Sequence, residues 1–115
     1  MIYTITPVAK PRQTQSDKWK KRPCVMRYRA FADECRLKRV FLPTAGAIIT
    51  FHMPMPISWS KTKREQMKGK PHQQKPDWDN LGKALSDAVY GEDCHVWDVR
   101  IIKVWSVIGQ IEIEV

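Results

Sequence analysis

No run of apolar residues in this 115-residue chain approaches the length of a membrane span; the longest, such as AGAII and VIG, are strand-sized. The opening MIYTITPVAKPRQ lacks a basic region followed by a long apolar one, so it does not read as a signal peptide, and a cytoplasmic setting is expected. Cysteine is scarce. Cys24, Cys35 and Cys94 are odd in number and irregular in spacing, which excludes an evident disulfide framework. Neither CxxC nor HxxxH spacing occurs, so no zinc motif is present and reduced thiols are expected. There is no internal repeat and no low-complexity segment. The length suits one domain spanning 1–115, because two separate cores would each be too small.

What the chain does have is positive charge, +8 formally, unevenly spread. Lys10 to Lys21 with Arg22 form one basic cluster, and Arg27, Arg29, Arg36, Lys38 and Arg39 a second. Lys61, Lys63, Arg64, Lys68, Lys70 and Lys75 form a third, diluted only by Glu65. Residues 76–98 reverse the pattern, with six acids (Asp77, Asp79, Asp87, Glu92, Asp93 and Asp98) against the single base Lys83. Long basic stretches beside one acidic pocket suggest a polyanionic partner and a separate task for the acids.

Hydropathy patterning predicts a first strand over 2–8, a loop over 9–23 and a helix from Cys24 to about Lys38, with Pro23 suited to its first turn. Val25, Tyr28, Phe31, Ala32 and Cys35 recur there at helical spacing. RVFLP reads as a short strand or a turn, and AGAIITFHMP as a strand. From Met53 to Pro76, prolines and lysines predict a mobile basic loop with a short helix around Lys61–Met67. Residues 79–90 give the clearest helix: Leu81, Ala84, Leu85, Ala88 and Val89 form one stripe, with Asp79 placed to cap the start and Gly91 the end. Residues 96–107 predict a strand, Gly109-Gln110 a turn, and IEIEV a final strand.

Asp77 and Asp79, two apart before a helix, would face the same side in extended geometry. A bend at Gly91 would return Glu92-Asp93 to them if the helix lies beside the next strand. Clustered carboxylates repel and need neutralising, by protonation or better by a hard divalent cation with oxygen ligands such as Mg2+. Beside phosphate-binding surfaces, the chemistry that follows is metal-assisted phosphodiester hydrolysis. Lys83, one turn after Asp79, could meet the scissile phosphate or orient a carboxylate. Plainer alternatives stand beside each element: Asp79 as a helix cap, Lys83 with Asp87 as a surface helix pair, Glu92-Asp93 as a polar turn, and the basic residues as a solvated face.

The string KPDWDNLGKALSDAV, followed by EDCHV, resembles the RusA-type Holliday junction resolvases, frequent in phages and prophages. That pattern is a basic residue, then D-x-D-N-x-x-K on a helix, then an acidic pair before a hydrophobic strand. PMPISWSKTKRE and PVAKPRQ are also similar to phage members. Together with the elements above, the resemblance implies an α+β fold, a small mixed β-sheet with two main helices in a single domain, forming a twofold homodimer. It implies a Mg2+-dependent endodeoxyribonuclease, with Mn2+ as a substitute ion, that nicks four-way DNA junctions symmetrically in recombination and repair within a bacterial or phage-infected cell. Carried over by position, Asp77, Asp79 and Asp93 are the metal carboxylates and Lys83 the catalytic lysine. The expected DNA-binding residues are Lys10, Arg12, Lys61, Lys63, Arg64, Lys68, Lys70 and Lys75. Glu92, Cys94 and His95 depart from the family's frequent Asp-Asp-Ser-Gln run, and Trp78 fills a position that is often aliphatic; it reads as core packing or an active-site wall. A nuclease acting on flaps or replication forks and a non-catalytic nucleic-acid-binding module are the competing readings.

Overall fold

The sheet is organised around β2 (Ala45–Pro54), whose alternation puts Ala47, Ile49, Phe51 and Met53 into the core while Ile48, Thr50 and His52 stay half-buried. The structure is a computed structural model and describes residues 1–11, 23–92 and 94–115. β2 pairs on both edges. It runs parallel to β3 (Asp98–Ser106), with Phe51 opposite Lys103, and antiparallel to β4 (Gln110–Glu114), with Phe51 opposite Ile111. β1 (Ile2–Tyr3) joins the far edge of β4, giving a mixed four-stranded sheet of order β1-β4-β2-β3. A parallel pair cannot be closed by a hairpin. The β2–β3 crossover therefore carries two helices, α2 (Lys61–Met67) and α3 (Trp78–Tyr90).

α1 (Pro23–Leu37) opens on its proline, as expected, and buries the five residues its spacing picked out. It ends in a paired hydrogen-bond closure: the Val40 amide donates to the Cys35 carbonyl and the Arg39 amide to the Arg36 carbonyl. Arg39 sits at φ 52, in the left-handed region usually given to glycine. RVFLP is therefore a helix-ending turn and irregular chain rather than a strand, because its first residues are spent on that closure. α3 buries Leu81, Ala84, Leu85 and Ala88 against α1 and β3, each leucine contributing about 1.5–3 kcal/mol. A Cβ at Gly82 would lie 2.8 Å from Ile101 Cδ1, so α3 approaches β3 closely here and a larger residue would require the Ile101 side chain to turn.

Three expectations change. The 2–8 strand shrinks to Ile2–Tyr3. The inward alternation of Tyr3, Ile5 and Pro7 persists, but the ladder to β4 ends at Tyr3 opposite Ile111 and the Ile5 amide turns back to the Tyr3 carbonyl, so burial continues without a ladder. The turn expected at Gly109-Gln110 falls over 107–109 instead, because Gln110 already begins β4, which pairs with the opposite edge of β2 from β3. The basic segment holds α2 where expected, yet its end is tied to the sheet. The Gly69 amide donates to the Trp105 carbonyl, the Trp105 amide to Lys70 and the His72 amide to Lys103. Among the described residues there are three helices, α2 burying none of its residues. Among the described residues no helix is long and apolar enough to cross a membrane.

Candidate active site

Helix α3 begins one residue earlier than predicted. Asp77, not Asp79, is its N-cap, with extended backbone (φ −71, ψ 154). Aspartate is favoured there because its carboxylate can accept an otherwise orphaned helix amide. Asp77 makes no such side-chain bond; its main-chain carbonyl accepts from the Leu81 amide at 3.2 Å. The helix thus takes its first acceptor from the backbone of Asp77 and leaves the carboxylate unspent. Asp79 lies inside the first turn, where the helix dipole favours an anion. The two do not share an extended strand, but both line one cleft of about 630 Å3 with Gln73, Gln74, Lys75, Trp78 and Lys103.

Lys103, which sequence reasoning missed, reaches this cleft from β3. Its ammonium donates to the carbonyls of Gln74 at 2.9 Å and Pro76 at 2.7 Å, pinning the segment that delivers Asp77. Partial burial holds the Lys103 pKa below the ordinary lysine value, and the charge of Asp77 pulls it back up. Nothing local in sequence marks this role, because the contacts span 27 and 29 residues.

Lys83 approaches Asp79 Oδ2 at 3.9 Å, with both side chains about half exposed. Such a surface pair contributes at most about 1 kcal/mol, so it leaves both groups able to exchange partners. The alternative pair of Lys83 with Asp87 does not form. Asp87 accepts a short hydrogen bond from the Tyr28 hydroxyl and faces Lys10 at 3.7 Å. Burial, and then that bond, push the Tyr28 pKa well above its usual value. Trp78 is 61 % exposed and is a wall, not core. It borders the acidic cleft and also an apolar groove of about 290 Å3 between α3 and β3, where Asp79 and Lys83 form the rim.

The bend at Gly91 forms as predicted, with φ 79 and the Gly91 amide donating to the Asp87 carbonyl. It does not return the chain to the aspartates. At about 1.5 Å per residue, Asp79 and Gly91 lie about 18 Å apart along the helix. β3 runs back along α3, so Lys103 reaches the Asp77 end while His95 stacks near Tyr90 at the other, centroids 5.2 Å apart. Glu92 belongs to that second end, beside Cys94 and His95. Two expected site residues, Asp93 and Arg12, lie outside the described residues.

Of the other basic positions, Lys61, Lys63, Lys68, Lys70 and Lys75 are exposed. Lys63 sits 4.3 Å over the Trp59 ring, Trp59 in turn packs on Trp105, and Arg64 donates to the Pro56 carbonyl. Lys10 ties residues 8–11 to α3, through Asp87 and through its amide to the Asn80 carbonyl.

The family model described as Endodeoxyribonuclease RusA matches residues 4–115. The chain belongs to the RusA endodeoxyribonuclease family. The match covers nearly the whole chain, including every element described above except β1. RusA nucleases act on branched DNA junctions and are in general dependent on a divalent metal. The donor set in the cleft fits such an ion, being carboxylate oxygen with no soft ligand, and the Asp77 carboxylate is not used by the helix cap. No curated protein and no solved structure matches the chain.

Proposed function

We propose that this RusA protein is a Mg2+-dependent resolvase of four-way DNA junctions that works as a homodimer, with Asp77, Asp79 and Asp93 holding the metal. The observation that carries the reading is the convergence of Asp77 and Asp79 on one open cleft in a chain of this family. When bound, a divalent ion supplies an activated water and neutralises charge on the phosphate, and Mn2+ would serve in its place. The protein's own groups do the rest. Asp77 and Asp79 present oxygens at the start of α3. Lys103 fixes the loop behind Asp77. Lys83, on the exposed rim, shifts from Asp79 to a phosphate oxygen as the strand arrives. Lys61, Lys63, Arg64, Lys68, Lys70 and Lys75, with Lys10 and Arg12, supply cationic contacts to the DNA backbone, which position the substrate without reading bases.

The length of α3 bears on the dimer. Asp79 and Glu92 stand at opposite ends of one rigid helix, so Glu92 does not reach the cleft of its own chain. Two copies with their α3 helices antiparallel would place each copy's acidic turn beside the other's Asp77 and Asp79. A twofold pair also matches the paired nicks that a four-way junction requires.

The deciding experiment uses labelled four-way, forked and linear DNA, with Mg2+ or with chelator. Asp77→Asn, Asp79→Asn and Asp93→Asn should each bind the junction and fail to nick it. A mixture of D77N and D93N should recover up to about a quarter of wild-type sites, since half the dimers are mixed and each has one intact site. Those dimers should nick without resolving. Normal cutting by D77N or D79N refutes the metal assignment, and failure of complementation refutes the shared site.

A further inference from the structure

Glu92, Cys94 and His95 carry a second, chemically different donor set at the far end of α3. Their ligand atoms all lie within 4.8 Å of one another. Cys94 Sγ is 3.4 Å from Glu92 Oε2, and His95 Nε2 is 3.7 Å from the same oxygen. Bonds of about 2.0–2.3 Å to a tetrahedral zinc ion imply ligand-to-ligand distances of roughly 3.3–3.6 Å. The two edges that meet at Glu92 Oε2 are therefore close to those of such a site, and the third lies within 4.8 Å.

The backbone that sets them there is fixed at both ends. Gly91 turns the chain out of α3 through its left-handed conformation, and the Trp97 amide donates to the Thr44 carbonyl where β3 is about to begin. The His95 ring rests near Tyr90, whose hydroxyl is bonded to the Leu42 carbonyl, so the imidazole has a supported orientation. All three ligands are exposed, so an ion enters without opening the core.

We infer that Glu92, Cys94 and His95 form a binding site for a borderline or soft divalent ion such as Zn2+ or Co2+, distinct from the oxygen-lined cleft at Asp77 and Asp79. One thiolate, one imidazole and one carboxylate select against Mg2+, which demands oxygen and keeps its waters. With three protein ligands, water completes the shell and the site is an exchangeable one. Nothing in this inference depends on the nuclease activity.

The test is titration of the purified full chain with Co2+ alone, followed by its sulfur-to-cobalt charge-transfer absorption, and competition by Zn2+. With excess Mg2+ present to occupy the carboxylate cleft, the band of wild type should saturate at one Co2+ per chain. Cys94→Ser should abolish the band, and His95→Gln should weaken binding at least about tenfold, or 1.4 kcal/mol. Cys24→Ser, removing the thiol of α1 that is only partly covered, should change neither. A band that survives C94S, one that disappears in C24S, unchanged affinity in H95Q, or no saturable binding by wild type would each overturn the site.

Discussion

Replacing Lys103 by methionine isolates what the lysine does beyond filling space, since the unbranched stem remains and only the ammonium is lost. Its two hydrogen bonds, to Gln74 and Pro76, hold the segment that leads into Asp77. Bonds from a charged donor are worth about 1.5–3 kcal/mol each, and solvent access at this rim reduces the pair to about 1–2 kcal/mol in total. If that energy serves to fix Asp77, nicking at saturating Mg2+ should fall about fivefold to thirtyfold in K103M. A second effect has the opposite sign. Removing a cation beside two carboxylates strengthens their attraction for another cation, so the Mg2+ concentration giving half-maximal rate should stay level or drop. A merely unfolded fraction would lower the rate without altering the Mg2+ dependence and would show in a thermal melt. The assay is single-turnover nicking of a four-way junction across a Mg2+ titration, beside melting curves. Wild-type rates in K103M, or a raised Mg2+ requirement with full rescue at saturation, would refute the positioning argument.

Arg39→Gly should raise stability by about 0.5–1 kcal/mol, because glycine accepts the left-handed turn after α1 without the steric cost of a Cβ; an unchanged or lower melting temperature would contradict this. His72 is buried with Nδ1 lacking a partner, and burial, then Lys103, push its pKa below 6.5. The folded state therefore keeps the ring neutral while the unfolded chain takes up a proton near that value. The stability His72 contributes should be complete above it and decline as pH falls through it towards the folded pKa. Melting temperatures from about pH 7.5 to 5.5 should fall more steeply for wild type than for H72F, and parallel slopes would reject the assignment. The triple change of Lys61, Lys63 and Arg64 to alanine should reduce the slope of log affinity for junction DNA against log salt by about 1 to 3, with no change if α2 faces away from DNA.

The helices were legible because helical spacing reports burial directly. α1 and α3 bury the residues their stripes marked, apart from Val89, which is only partly covered. The N-terminal strand was overread for a related reason: Tyr3, Ile5 and Pro7 alternate inward, but alternation says nothing about whether a neighbouring strand is there to take the hydrogen bonds. At the candidate site, composition against a basic background singled out Asp77 and Asp79, and both line one cleft. The helix start was misplaced because either aspartate suits a cap, and only the fold decides which carboxylate is left over. Lys103 and His72 left no local trace, since each acts through partners distant in sequence.

Adjacency along the chain misled most at Glu92. Read as a string, the acidic pair follows the D-x-D motif after one short helix, and a glycine bend looks like a route back. A helix does not shorten with its bend; it is a rod of fixed rise, and α3 runs beside β3, approaching it most closely where Gly82 faces Ile101. In the dimer proposed above, the same rigidity that keeps Glu92 from its own cleft would make α3 a spacer. In an antiparallel arrangement the separation of the two clefts follows from the helix length, about 18 Å per α3, rather than from any loop. Paired nicking needs two sites held at a constant distance on a branched substrate. Helix α3, which buries one face against α1, supplies that constancy more reliably than α2, which buries none of its own residues.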